Sequence, residues 1–456
     1  MTIVKSSICA VVGIAPAGPT QALTLCLSPD DDAQFGVPAA GFNIPRTLAI
    51  IRGIAGNCPV IVVNTFDQAT NTTPVANESQ QLVNGLLSLS NAPVGAVTIS
   101  NADGTASALV EGTDYSIDGY GNLTALSGNM TNGTSYKFSY SYLNGGAVTG
   151  GQIIGGVDPV TEVRTGLALL AECYTTFGYN PKILITPLYS TLSSVAVAFA
   201  AAADTYRAMY IQDAPAGATV ATVIGGRGPA GAINFNTADP RVDLRFPQLQ
   251  VYDANSNTNI DFPFSAFMAG VYIANDNSAD GGYWQSPSNQ PIPMAVGLER
   301  PISWSINDAG SDANQLNAAG INTVATGNGT GILAWGNRNA SFPNSSSVKN
   351  FINVQRTDDI IAESMELGAL PFIDKGITQA FIDNVCAAGN ALMKVLIGRG
   401  ALMPGSRVVY NPADNPASQL AAGQVCFEKI YMVPTPAERI TFYSIIDITL
   451  LNSLNS

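Results

Sequence analysis

The sequence predicts a multi-domain α/β (α+β) chain: a mixed-sheet α/β core, interrupted by a small antiparallel β-domain and followed by an extended C-terminal stretch. Helix-type and strand-type apolar patterns alternate over 42–67 and again over 182–215, as a core of strands and covering helices requires. Between those stretches, over 68–150, the composition turns to Thr, Ser, Asn and Gly with short alternating runs. After Pro434 and Pro436 the chain becomes apolar on both faces.

Element by element, SSICAVVGIAP at 6–16 is a strand-like run ended by Pro and Gly. FNIPRTLAIIRGIAGNCPVIVVNTFD at 42–67 predicts a helix from about Pro45, a stop at Gly56 and Asn57, and a buried β-branched strand at 59–63. In the interruption, GAVTIS, TDYSIDGYGNLTAL and SYKFSYSYL read as hairpin-type strands. Tyr136, Phe138, Tyr140 and Tyr142 share one face of the last, with Ser135, Lys137, Ser139 and Ser141 on the other, so one face is buried and one wet. After Gly150, VDPVTEVRTGLALLAECYTTFG suggests a helix, 182–187 a strand, 190–206 a helix and 207–215 a strand, which is a βαβ unit. Downstream, 331–336 and 349–357 read as strands and 376–397 as a helix with the stripe Ile377, Phe381, Val385, Ala388, Leu392 and Val395.

A chain of 456 residues exceeds one ordinary core. Apolar residues are 46% of it and charged residues 12%, about half the usual share, which implies burial in lipid or under other protein. The most apolar stretch, 192–203, falls short of the roughly 20 residues of a spanning helix, so no membrane anchor is expected. The first residues, MTIVKSSICAVVG, lack the apolar core and cleavage site of a secretory signal, which places synthesis in the cytoplasm. Net charge is 20 minus 33, or −13, without a Lys/Arg cluster, which argues against a nucleic-acid partner. Cys9, Cys26, Cys58, Cys173, Cys386 and Cys426 form no CxxC pair and read as buried free thiols.

Chemistry is narrowed by subtraction. With no histidine, Ser-His-Asp and Cys-His catalysis and His-containing zinc sites are excluded. GGRGPAG at 225–231 and TGNGTG at 326–331 lack the Gly-Lys-Ser/Thr ending of a phosphate loop and read as turns. Asp30, Asp31 and Asp32 read as turn or helix-start residues. No catalytic residue, cofactor or metal is expected. The loop GGYWQSPSNQPIPMAVGLERPISWSI at 281–306 then reads as rigid scaffolding, with Tyr283, Trp284 and Trp304 as packing anchors.

Two surfaces remain open to a functional reading. From Ile440 to Leu451, one face of an extended run carries Ile440, Phe442, Ile446, Ile448 and Leu450 and the other Tyr443, Ile445 and Leu451. Such a run is either an internal strand or an arm that completes a neighbour's sheet. Asp358, Asp359, Glu363 and Glu366 on a helix near 358–369 either face a partner of complementary charge or form a solvated face.

The run FSAFMAGVYIANDNSADGGYWQSPSNQPI at 264–292 resembles the tail sheath proteins of contractile phages and pyocin-like particles. LNAAGINTVATGNGTGILAWGNRNAS looks like that family's GIN segment and WG-R element, KNFINVQRTDDIIAESM like its strand with a basic pair (here Gln355-Arg356), and VPTPAERITF like its Pro-x-Pro-Ala-Glu element. Upstream, NPKILITP and EGTDYSID resemble the family's α/β and β-barrel parts, and the order of motifs is kept along nearly the whole chain. The resemblance implies a core from 1–67 and 151–260, an outward-facing β-barrel-like insert at 68–150, a C-terminal sheath region at 261–433, and a connector and arm at 434–456. It implies a structural protein, stacked as hexameric rings around a tail tube in a virion tail assembled in host cytoplasm. Tube, baseplate and tail terminator proteins are the implied partners.

By the same resemblance, Pro434, Pro436 and Ala437 are a connector and Ile440 to Leu451 an exchanged strand, while Asp358, Asp359, Glu363 and Glu366 are candidates to face the tube. Relatives begin with a longer extended arm; here Met1 to Lys5 precede the first strand, leaving Thr2, Ile3 and Val4 as a short N-terminal partner. The alternative is a carbohydrate-binding virion surface protein using the insert's tyrosines.

Overall fold

The computed structural model describes residues 1–455 apart from 2, 255, 280, 328 and 330. Its central sheet is built from largely apolar runs that, one edge strand apart, are buried on both faces, the pattern of a sheet covered by helices. In chain order its strands are β1 (Cys9–Gly13), β2 (Leu23–Cys26), β3 (Val60–Asn64), β4 (Ile183–Ile185), β5 (Met209–Asp213) and β6 (Val242–Arg245). They lie in the order β6-β5-β4-β1-β3-β2, parallel except for β2, which runs antiparallel to β3 at one edge. That one reversed strand makes the sheet mixed, as expected.

Helix α1 (Ile44–Ala55) has Pro45 in its first turn, where a missing N–H is harmless, and stops at Gly56, whose φ of 67° suits glycine. Helix α2 (Ser193–Tyr206) joins β4 to β5 and completes the predicted βαβ unit. Helix α3 (Phe264–Asn277) lies so close to α1 that a Cβ on Gly270 would sit 3.0 Å from Ile54 Cβ. The resulting core runs from Ile8 through Phe199, Tyr210 and Phe267 to Ile352.

Residues 72–143 have a core of their own, centred on Phe138, Leu123, Tyr136 and Tyr140. It lies among two three-stranded antiparallel sheets, one with Ser135–Leu143 between Thr72–Gln81 and Pro93–Asn101, the other with Asn122–Ala125 between Leu86–Ser88 and Tyr115–Ile117. The two sheets are separate and no closed barrel forms. Chain entry and exit are tied side by side where Asn144 N donates to Asn71 O at 2.9 Å.

A further core gathers Val354, Ile361, Leu392, Met393, Leu402 and Val433. Its framework is helix α4 (Ile352–Ala369), helix α5 (Gln379–Gly398) and a two-stranded antiparallel sheet of Arg407–Val409 with Glu428–Ile430. Gly389 lets α5 meet that sheet, since a Cβ there would lie 2.9 Å from Val408 Cγ2. The buried stripe of α5 is Val385, Gly389, Leu392, Met393 and Leu396; Val395, predicted inside, is exposed. By length and composition alone α5 is apolar enough to cross a membrane, yet this stripe makes it a face of the core.

Three expectations fail for local reasons. The predicted helix at 157–178 is a hairpin of Gly156–Val157 with Arg164–Thr165, then a 3-10 turn at Gly166–Glu172 and a short helix at Cys173–Phe177. Pro159 interrupts the pattern, and Gly166, at φ 56°, breaks it where its Cβ would lie 2.6 Å from Ile153 O. The predicted strand at 349–357 is a 3-10 turn running into α4: every residue from Ile352 to Thr357 is buried, so no polar face marks the helical period. The insert, expected as barrel-like, closes into no barrel. Ile440 to Leu451, read as either an internal strand or an arm for a neighbour, pair with no strand among the described residues; Ile448–Asn455 is 3-10 and the rest irregular.

Candidate functional site

The sequence motifs converge where the C-terminal segment leaves the body. Asn322 of the GIN segment is placed beside β6, its N–H donating to Leu244 O at 2.9 Å. Its amide donates to Asp243 Oδ1 at 2.6 Å and to Arg338 O at 2.7 Å, and its Oδ1 accepts from Arg338 N at 3.2 Å. One buried side chain thus joins the GIN and WG-R elements. Gly336, with φ 117°, is required here because a Cβ would fall 2.3 Å from Asn322 Oδ1. Asp243 is held in turn by Arg245 at 2.8 Å and by the Tyr272 hydroxyl at 2.6 Å.

The guanidinium of Arg338, so fixed, lies between Phe342 and Phe351, 4.6 and 3.7 Å from their ring centres. Its fork grips Glu438 of the Pro-x-Pro-Ala-Glu element at 2.9 and 2.5 Å. Val433 is buried and Pro434 O accepts from Asn353, whose amide also donates to Trp284 O at 2.8 Å. Pro436, Ala437 and Glu438 line a cleft of about 480 Å³ with Ser286, Asn289 and Trp335. Beyond Glu438 the surroundings change: Ile440, Phe442, Tyr443, Ile445, Ile446, Ile448, Leu450 and Leu451 are 64–92% exposed. Tyr283, Trp284 and Trp304 pack within the chain, Tyr283 edge-on to Trp284 at 5.0 Å and Trp304 edge-on to Trp335 at 5.4 Å.

The acidic helix faces inward. Arg356, Asp359, Glu363 and Glu366 step by three, four and three along α4, one face of a helix, and each meets a group on the α/β body. Arg356 forks onto Asp276 at 2.9 and 2.7 Å, Asp359 meets Arg241 at 2.6 Å, Glu363 meets Lys182, and Glu366 meets Arg207 at 2.6 Å. Burial alone would lower the Arg241 pKa, but Asp359 and Asp204 overcome it and hold the group raised. Burial dominates at Lys182, whose pKa is lowered despite Glu363. Asp358, on the next face, binds Lys349 at 2.7 Å and the Tyr431 hydroxyl; burial opposes its charge, yet these hydrogen bonds hold its carboxyl below the usual range. All of the carboxylates offered to a tube partner therefore have partners within the chain. Glu363→Lys is expected to cost about 2–3 kcal/mol, since it sets two cations together at a buried site, whereas Glu366→Lys costs under ~1 kcal/mol at the surface. Thermal unfolding of the two variants checks the contrast.

At the N-terminus, Thr2 lies outside the described residues. Met1, Ile3 and Val4 pack on the core of α4 and α5, and Val4 N donates to Ser364 Oγ at 3.0 Å.

A cluster of one carboxylate and two hydroxyls that resembles a catalytic constellation is closed to solvent. Asp213, at the end of β5, accepts from Ser265 N and Oγ at 2.6 Å each and from Ser190 Oγ at 2.9 Å, with all three residues buried. It caps the start of α3. Burial pushes its carboxyl up to about 6, against the lowering effect of the Ser265 bonds. A raised folded-state pKa contributes stability fully present below the unfolded value of about 4 and lost as pH rises through about 6, here about 2–3 kcal/mol. Asp213→Asn is expected to flatten the fall in stability between pH 4.5 and 7, as read by thermal unfolding at both. Of the thiols, Cys9, Cys26, Cys58 and Cys173 are buried, Cys386 is partly so and Cys426 exposed; burial pushes Cys26 and Cys173 up to about 12, which leaves them inert at neutral pH.

Comparison with known proteins gives the class. The whole fold matches the contracted helical sheath of the anti-feeding prophage, with a TM-score of 0.61 at 15% identity over 98% of this chain and 95% of that one. It also matches the contracted sheath of the extracellular contractile injection system PVC, at a TM-score of 0.60 and 14% identity over 98% and 94% of the two chains. The fold is that of contractile sheath subunits. The profile of the phage tail sheath protein central domain matches residues 162–340. The tail sheath protein of Burkholderia phage BcepMu is 40% identical over 445 residues, 96% of this chain and 92% of that one, and the tail sheath protein of Escherichia phage P2 is 26% identical over 65% of this chain and 70% of its own. This chain belongs to the phage tail sheath protein family and is a structural protein of a contractile sheath. None of these matches is to a carbohydrate-binding protein.

Sequence reasoning missed the Arg338–Glu438 clamp and the cations Lys182, Arg207 and Arg241 that face α4. The three-four-three spacing of 356, 359, 363 and 366 was the available signal for an inward face.

Proposed function

We propose that copies of this chain stack as hexameric rings around a tail tube in the virion tail, assembled in host cytoplasm, and that contraction drives the tube through the host envelope. The role is structural rather than catalytic. The observation that carries this reading is the apolar run from Ile440 to Leu451, left in water by its own chain in a member of the sheath family. Exposed apolar runs of this length mark a surface that another protein covers.

On this reading 1–67 and 151–260 form the sheath core, 68–150 an outward-facing insert, 261–433 the C-terminal sheath region and 434–456 the connector and arm. The arm adds to a neighbour's sheet, and the strand pair Arg407–Val409 and Glu428–Ile430 is a suitable acceptor on its Glu428–Ile430 side, since Asn390 already takes the Val408 N–H and O on the other, with Ile430, Met432 and Met403 exposed beside it. Linked through arms, bodies rotate as rigid units while the mesh stays connected, toward better contacts in the contracted array. Ile3 and Val4, held on their own chain, are the short N-terminal element that such a mesh retains. Tube, baseplate and terminator proteins are the further partners; the fold likeness to a chain of the anti-feeding prophage baseplate assembly, at a TM-score of 0.61, agrees with that setting.

Negative-stain images of the purified chain test the reading. Hollow, striated cylinders are expected; single particles of one size at every concentration would reject it.

A further inference from the structure

We propose that Arg338 is a positioning residue that clamps Glu438 and so sets the point from which the C-terminal arm swings, at Arg439, rather than at the Pro434–Ala437 connector. The inference rests on the reading of 440–451 as an arm, but the clamp itself stands on geometry within one chain.

Prolines stiffen a connector, and a stiff connector suggests a spacer between body and arm. Here the stiff segment is docked. Val433 is in a core, Pro434 O is bonded to Asn353, Pro436 is partly buried, and Glu438 carries a two-pronged ion pair. Three independent restraints hold the other half of that pair. Arg338 N is bonded to the buried Asn322, its guanidinium lies between two phenyl rings, and Nη1 is bonded to Asn350 Oδ1. A guanidinium pinned in this way presents a fixed fork to a carboxylate, and lysine offers no such fork. From Arg439 to Asp447 every residue is exposed. The boundary between held and free chain therefore falls within one peptide bond of Glu438, and the direction of departure is set by the body.

Chemistry supplies a direct readout. Arg439 is the last basic residue of the chain, so trypsin acting beyond the clamp has one bond to cut, Arg439–Ile440, and releases residues 440–456. Proteases cut segments that open locally, so residues held on the body just before the bond slow the cut. Unassembled full-length protein is treated with limiting trypsin and the loss of mass followed, for wild type, Arg338→Gln and Glu438→Gln. Rates are divided by those of a synthetic 432–445 peptide and its Glu438→Gln form, which removes the effect of the neighbouring carboxylate on trypsin itself.

With the clamp, both variants are cut roughly five- to tenfold faster than wild type after this correction, while the thermal midpoint of Glu438→Gln is unchanged. Cleavage at the wild-type rate in Glu438→Gln overturns the proposal, and it decides the matter even if Arg338→Gln fails to fold. The same variants are then imaged. Faster cleavage together with cylinders of irregular diameter or low yield supports a positioning role; faster cleavage with cylinders identical to wild type rejects it. Cylinders formed as well by a chain truncated after Arg439 would instead reject the arm reading and leave the cleavage result standing.

Discussion

Truncation after Arg439 is expected to abolish cylinder formation and leave a folded body with an unchanged thermal midpoint. No residue from 440 to 451 belongs to any of the three apolar cores, and their side chains lie in water. The truncation therefore removes nothing that holds the monomer together. It does remove the eight large apolar side chains of 440–451, each worth about 1.5–3 kcal/mol if buried against a partner. Even after the entropy of ordering the segment, a loss of that gross size exceeds what a reversible assembly can tolerate. Sedimentation velocity and negative stain of the truncated chain check both halves of the expectation. Stopping after Arg439 keeps Glu438 and its clamp, so any loss belongs to the arm alone.

Arg356→Ala is expected to be the most damaging single change, at about 3–5 kcal/mol, because it leaves Asp276 charged, buried and without its fork. The pair lies between α3 of the central body and α4 of the C-terminal region, with both side chains at most 6% exposed. The guanidinium also sits 4.9 Å over the ring of Tyr272 and reaches Ser6 O. One arginine thereby joins the central helix, the N-terminal segment and α4. Replacing both partners together, Arg356→Met with Asp276→Leu, removes the buried charge as well as the bond and is expected to recover much of the loss. Chemical unfolding of the arm-truncated single and double variants measures the difference. Equal losses in the two would show that the pair's role is packing rather than charge.

Much of the α/β core was legible because its elements obey local rules. β1, β3 and β5 are buried on both faces, and α1 carries its proline and glycine where a helix begins and ends. The insert's last strand was legible for the complementary reason: Tyr136, Phe138 and Tyr140 alternate with half-exposed partners. What failed was the start of α4, read as a strand, where polar residues are buried. Asn353, Gln355, Arg356 and Asp359 lie inside because each finds a partner, and a hydrophobic pattern carries no sign of a satisfied polar core. The partners of the acidic residues were hidden in the same way. The acidic residues of α4 suggested a charged exterior, yet Lys182 and Arg241, distant in sequence, had already met them. The motifs GIN, WG-R and Pro-x-Pro-Ala-Glu were visible as words, but only folding brings Asn322, Arg338 and Glu438 into one contact chain.

The C-terminal run is apolar on both sides by its alternation of residues, and in the isolated subunit both sides stay in water. A segment with no partner in its own chain takes no strand geometry, and its form in an assembly is set by the neighbour that receives it.

If this segment leaves one subunit at Arg439 and completes the sheet of another, a cryo-electron-microscopy reconstruction of the assembled cylinders shows it most directly. Residues 440–451 are then expected as an extended strand hydrogen-bonded along Glu428–Ile430 of an adjacent copy, with Glu438 still in the grip of Arg338. Density in which 440–451 folds back on its own body, with neighbours joined only through the bodies, would refute strand exchange.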